Sequence, residues 1–131
     1  MIIVHIIESS ATGTLSIVNM AANHQTKVND VTVIFSRRPD TPENIKKTFA
    51  NDVKLIEDRL QAKYFPFSVF SLRKHIKNLN PDVVHCHSSF AGFVGRLAAI
   101  GFKSKVFYSP HCISFMRKDI SFFKRTLFNL F

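Results

Sequence analysis

The sequence contains no tryptophan, only two cysteines and four glycines, and half as many acidic residues as basic ones, 9 against 18. The cysteines, Cys86 and Cys112, are widely separated and form no CxxC pair. This argues against a disulfide framework and fits a reducing compartment. Neither GxGxxG nor a P-loop occurs, since the required Gly and Lys residues are absent at those spacings, so the common glycine-rich phosphate cradles are excluded. The deficit of acidic residues leaves a formal charge of +9. That excess favours an acidic partner such as a phosphorylated ligand, an anionic membrane surface or nucleic acid, without choosing among them. No apolar run reaches membrane-spanning length; the best, 90–102, is broken by Arg96. The first residues, MIIVHIIESS, carry neither a basic region nor a cleavage site, so no signal peptide is expected and the expected location is cytoplasmic.

What is present reads as one globular domain. A chain of 131 residues with 46% hydrophobic content can bury roughly two thirds of its unfolded surface. IIVHII (Ile2–Ile7) is a β-branched run typical of a buried parallel strand. The loop ESSATGT follows, and Leu15, Val18 and Ala22 then recur at helical spacing. VTVIFS (Val31–Ser36) completes a βαβ unit. VKLIEDRL (Val53–Leu60) reads as a weaker strand near an edge. Val69, Leu72, Ile76 and Leu79 share a helical face, stopped by Asn80 and Pro81. DVVHCH (82–87) is a strand, and Phe90, Phe93, Val94, Leu97 and Ala98 form a helical stripe. KVFYS (Lys105–Ser109) is a fifth strand, and Asp119–Phe131 reads as a last helix. The alternation predicts an α/β fold, a parallel sheet with helices on both faces. Ligands of such sheets bind beyond the strand carboxyl ends, here the loops 8–14, 87–89 and from Pro110 onward.

The segment DVVHCHSSFAG concentrates the chemistry. On a strand His85 and His87 share one face and Cys86 points to the other. The three therefore cannot form one compact ligand set. A zinc ion on the histidine pair needs a third ligand, for which Glu8 or His111 are the candidates from neighbouring loops. Without a clear third ligand, no metal is expected and His85 reads as a satisfied face histidine. Cys86 lies in an apolar run that disfavours a thiolate, so it reads as structural. Ser88 or Ser89 can cap the following helix, whose N-terminus could also receive an anion or a sugar hydroxyl. Gly13 would let the first loop turn tightly and approach a ligand.

Taken together, IVHIIESS with its glycine-containing loop, VIFSRRPDTPENI, NPDVVHCHSSFAGFVGRLAA and YSPHCISFMRKDIS resemble the N-terminal domain of family 4 glycosyltransferases. These are GT-B enzymes of two facing Rossmann-like halves, and the resemblance spans essentially the whole chain. It implies an acceptor-side domain of an enzyme moving a sugar from a nucleotide-sugar to a lipid-linked or polysaccharide acceptor, as in capsule, exopolysaccharide or lipopolysaccharide assembly. By resemblance, Gly13 and Thr14 would lie against the donor phosphates, and His87 and Ser88 would line the crevice. His111, matching the histidine of the family's PHG segment, would contact or position the transferred sugar as the catalytic-site residue. No cofactor or metal is implied. The resemblance departs in two places: one glycine stands in the first loop where relatives have two or three, and Cys112 replaces the glycine after the histidine. The donor-binding half is not in the sequence, so the chain is expected to be inactive alone, with that half a further partner. The final apolar helix suggests association with an anionic membrane surface or with itself. The alternatives are a basic nucleic-acid-binding module, disfavoured because its basic residues form no single stripe, and a free-standing flavodoxin-like or receiver domain. The latter lacks the acidic cluster at its strand ends.

Overall fold

A computed structural model describes residues 1–8 and 12–111. The expected last helix and Cys112 lie outside the described residues. Five strands form one wholly parallel sheet: β1 (Ile2–Ile7), β2 (Asp30–Phe35), β3 (Lys54–Glu57), β4 (Val83–His87) and β5 (Lys105–Ser109). Their order is β3-β2-β1-β4-β5. This is the doubly wound Rossmann order, not the flavodoxin-like order, which settles that alternative against the latter. Winding reverses between β1 and β4, where His5 stands beside His85 in the register.

Among the described residues, three α-helices connect strands: α1 (Thr12–Gln25), α2 (Phe67–Leu79) and α3 (Ser89–Ala99). α1 packs Leu15, Val18 and Ala22 on Ile3, Ile7, Val31, Val33 and Phe35. α2 and α3 cover the opposite face, placing Leu72, Ile76, Val94 and Ala98 on Val4, Ile6, Ile34, Val84 and Cys86. Helices thus lie on both faces, as the alternation of periods predicts. α2 ends where the sequence predicts: Asn80 adopts a left-handed conformation (φ 45°, ψ 56°) and its N–H returns to the Ile76 carbonyl, an asparagine cap followed by proline.

Three expectations need correction. VKLIEDRL is a strand only over Lys54–Glu57. Past Glu57 the chain leaves the edge because Leu60 turns into the core, where it is fully buried. Gly13 lies in the first turn of α1, without a left-handed φ, so no tight turn is built on it. The buried face of α3 is also rotated from the expected stripe. Ala91, Val94, Gly95 and Ala98 face inward, while Phe90 and Phe93 pack at the flanks. The cause is close approach: a Cβ on Gly95 would collide with Cys86 Sγ, and one on Gly92 with the Tyr108 ring. Small residues bring this helix down onto β4 and β5, and the phenylalanines are too large for that interface.

Candidate functional site

The carboxyl ends of β1 and β4 form the crevice that doubly wound sheets use for ligands. Glu8 follows β1, and its carboxylate accepts a hydrogen bond from the backbone N–H of Ala91 at 3.0 Å, with the Phe90 N–H and the Ser88 side chain also lying against it. It therefore occupies the N-terminus of α3, the place the sequence offered to a serine cap or an exogenous anion. Burial raises the Glu8 pKa, an effect opposed by the nearby Arg38 and by these N–H donors. Arg38, in the loop after β2, was not singled out in the sequence; its Nε is buried with no hydrogen-bond partner among the described residues.

Ser88 does not cap α3 with its side chain. It takes φ 73°, ψ 168°, a region almost confined to glycine and costing about 1–3 kcal/mol elsewhere. Two backbone bonds hold it there: its N–H donates to the Ser109 carbonyl and its carbonyl accepts from Gly92. Its Oγ is buried against the Glu8 carboxylate, whose charge it helps to hold, and has no other hydrogen-bond partner among the described residues. Ser88→Gly is therefore expected to stabilise the chain by about 1–3 kcal/mol, seen as a higher denaturant midpoint at unchanged slope. A lower midpoint would show that the contact of Oγ with Glu8 outweighs the backbone strain.

His85 and His87 share a face, as the strand period requires, and Cys86 lies fully buried on the other. Burial pushes the Cys86 thiol up to about 12, which removes it as a nucleophile at neutral pH. The sequence reading missed His5. It sits on β1, fully buried, with its ring centroid 5.2 Å from that of His87 and 5.4 Å from that of His85. A polar residue within an otherwise apolar buried strand was the available signal.

The imidazoles are linked. His5 Nε2 donates to Gln25 Oε1 at 2.7 Å. His5 Nδ1 and His87 Nε2 share a hydrogen bond of 2.9 Å, and His87 Nδ1 and His111 Nε2 share one of 2.7 Å. The His87 and His111 rings stack, 16° apart in plane with centroids 5.0 Å apart. His85 packs on His87 at 4.0 Å and bonds Ser109 Oγ through Nε2. His111 is exposed and adopts a positive φ of 52°, a region histidine enters more readily than most residues. Burial lowers the pKa of His5, and of His85 to about 4 and His87 to about 2, with neighbouring histidines contributing to the last two. Desolvation also lowers that of His111. All four rings are neutral near pH 7.

His5, His85 and His87 bring one ring nitrogen each to within 4.8 Å of one another. They are the group among the described residues whose donors converge enough for a cation. The third nitrogen comes from His5 and not from Glu8 or His111, the candidates considered from sequence. Both nitrogens of His5 and both of His87 already hold the hydrogen bonds above, which a cation would have to displace.

Of the residues expected in one site, His87, Ser88 and His111 are brought together. Gly13 and Thr14 lie in the first turn of α1, and a Cβ on Gly13 would touch nothing.

The fold is that of a doubly wound α/β domain of the Rossmann type. Residues 14–131 match the sequence pattern of Glycosyltransferase Family 4, and the chain belongs to that family. It is 49% identical over 49 residues to an uncharacterized 41.2 kDa protein in the cps region of Klebsiella pneumoniae; that stretch is 33% of this chain and 13% of that protein. Among solved structures, the apo form of the lipopolysaccharide outer core galactosyltransferase WaaB superposes with a TM-score of 0.67 at 20% identity, covering 90% of this chain and 35% of that one. The S. aureus MnaA–UDP structure gives 0.65 at 18% identity, covering 99% of this chain and 36% of that one. At such identities the likeness establishes the fold. The chain spans about a third of the length of these solved relatives.

Proposed function

We propose that the chain is the acceptor-side domain of a glycosyltransferase that moves a sugar from a nucleotide-sugar to a lipid-linked or polysaccharide acceptor. The observation that carries this reading is the gathering of His87, Ser88 and His111 at the β1/β4 switch point in a family 4 chain. His111 is the exposed member, so it is the group that meets substrate, with His87 behind it. The open space at Gly13 leaves room for donor phosphates against the first turn of α1, where helix N–H groups favour anions. The galactosyltransferase and cps-region relatives support a place in cell-surface polysaccharide assembly. Transfer requires donor and acceptor in reacting geometry, which two facing halves would provide.

The test has two arms. The 131-residue chain, incubated with nucleotide-sugars and lipid-linked acceptors, is expected to give no product above blank. A two-domain protein containing this domain and a donor-binding half is expected to turn over, and His111→Ala to lower its kcat/KM by about 100-fold or more. Robust turnover by the single domain, or an unaffected His111→Ala enzyme, would refute the reading.

A further inference from the structure

Gln25, His5, His87 and His111 form an unbroken line of hydrogen bonds of 2.7, 2.9 and 2.7 Å from the end of α1 to the exposed mouth of the crevice. A neutral imidazole has one N–H and one lone pair, so it relays direction: if one nitrogen donates, the other must accept. Gln25 Oε1 can only accept. His5 must therefore carry its proton on Nε2 and offer its lone pair at Nδ1. His87 must donate from Nε2 to that lone pair and accept at Nδ1. His111 must then donate from Nε2, which places its lone pair on Nδ1.

We propose that Gln25 and His5 are positioning residues that act through His87 to hold His111 in its Nε2–H tautomer, so that the ring meets substrate as a hydrogen-bond acceptor at Nδ1. The consequence for substrate rests on the reading of His111 as the substrate-contacting group. An acceptor at that place suits the hydroxyl of a sugar or other alcohol; a donor there would suit a phosphate or carboxylate oxygen. The lowered pKa values of His5, His87 and His111 fit the relay, since one protonated ring would have two donors and break the sequence. The 4.0 Å packing of His85 on His87 helps fix the plane of the central ring. A metal on the three inner histidines is the competing use of the cluster, and it needs the lone pairs that the line consumes.

The relay is tested by long-range nitrogen–proton NMR of the imidazoles in the 131-residue chain at pH 7.5, which separates N–H from lone-pair nitrogens ring by ring. His5, His87 and His111 are each expected in a single Nε2–H form. Gln25→Leu removes the fixed acceptor and is expected to turn these pure forms into mixtures at His5 and, through it, at His111. Gln25→Glu keeps an acceptor and is expected to leave them pure. Gln25 is the last residue of α1 and only partly buried, and the wild-type assignment stands as a test even where a variant folds poorly. Nδ1–H forms in the wild type, a His111 signal indifferent to Gln25→Leu, or stoichiometric zinc by elemental analysis would each overturn the proposal. Pure Nε2–H forms combined with an unaffected His111→Ala transferase would leave the relay standing and remove the role given to His111 in transfer.

Discussion

Replacing Gly95 with valine is expected to destabilise the chain by about 3 kcal/mol or more, the upper end of the overpacking range. The site has no slack. The first added carbon would overlap Cys86 Sγ and come within 3.4 Å of Ile6 Cδ1, both fully buried. Neither neighbour has solvent to move into, and retreat of α3 would open the contacts of Ala91, Val94 and Ala98. Gly95→Ala distinguishes this from ordinary helix propensity. On an open helix surface that change stabilises by about 1 kcal/mol; here it is expected to destabilise. Adding Cys86→Ala removes the opposing sulfur, so the double variant should recover part of the loss, with an interaction of about 0.5–3 kcal/mol in the cycle. Equilibrium denaturation of the four proteins is the measurement. A stabilised Gly95→Ala, or strict additivity, would show that α3 does not approach β4 as closely as described.

The second large effect is acid sensitivity. His5, His85 and His87 have folded-state pKa values below the usual 6.5, His85 at about 4 and His87 at about 2. A group with a depressed pKa binds fewer protons folded than unfolded. Its contribution is present above pH 6.5 and is lost as pH falls from there toward the folded value. Each such histidine costs about 1.4 kcal/mol per pH unit within that window. Three together set a limit of about 4 kcal/mol per unit, a limit because His85 is partly exposed. Glu8 works in the opposite sense: its pKa is raised, so its ionised form weakens the fold above the window and protonation relieves this on acidification. One carboxyl offsets only part of three imidazoles. Against a typical domain stability of about 5–15 kcal/mol, a large share of the stability is expected to be lost between about pH 6.5 and 5. Denaturant titrations at pH 7.5, 6.5 and 5.5 should show a steep fall, and His5→Gln should lessen the slope by about one proton. A flat profile from pH 7.5 to 5.5 would contradict the buried, neutral cluster.

The sheet and its faces were legible because they rest on local periods. Alternation along DVVHCH put Cys86 opposite His85 and His87 without any knowledge of neighbours. Leu72 and Ile76, Leu15, Val18 and Ala22 likewise declared their helical faces. The site was legible only by halves. His87, Ser88 and His111 follow strands whose carboxyl ends share one edge, and their gathering could be foreseen. His5 could not be paired with His87, because the two lie 82 positions apart and parallel register leaves no mark in one sequence. Glu8 at the head of α3 was hidden in the same way, while Ser88, adjacent in sequence, offered a more obvious cap that the structure does not use. The α3 stripe misled because hydrophobicity ranks phenylalanine above glycine, whereas close approach ranks them in reverse.

The far end of the sheet contributes to the register that the histidine line needs. Ile2 and Asp82 exchange two bonds there: the Ile2 N–H donates to Asp82 Oδ2 at 2.7 Å and the Asp82 N–H to the Ile2 carbonyl at 2.9 Å. That clasp sits just ahead of β4 and at the start of β1, and the paired residues, Ile3 with Val83 through Ile7 with His87 and His5 with His85 among them, follow it. A slip of one residue would turn His5 toward the α2 and α3 layer and carry an isoleucine into its place. A carboxylate at the opposite rim thus helps to align the two strands whose pairing brings His5 to the histidines of β4, while touching none of the chemistry itself.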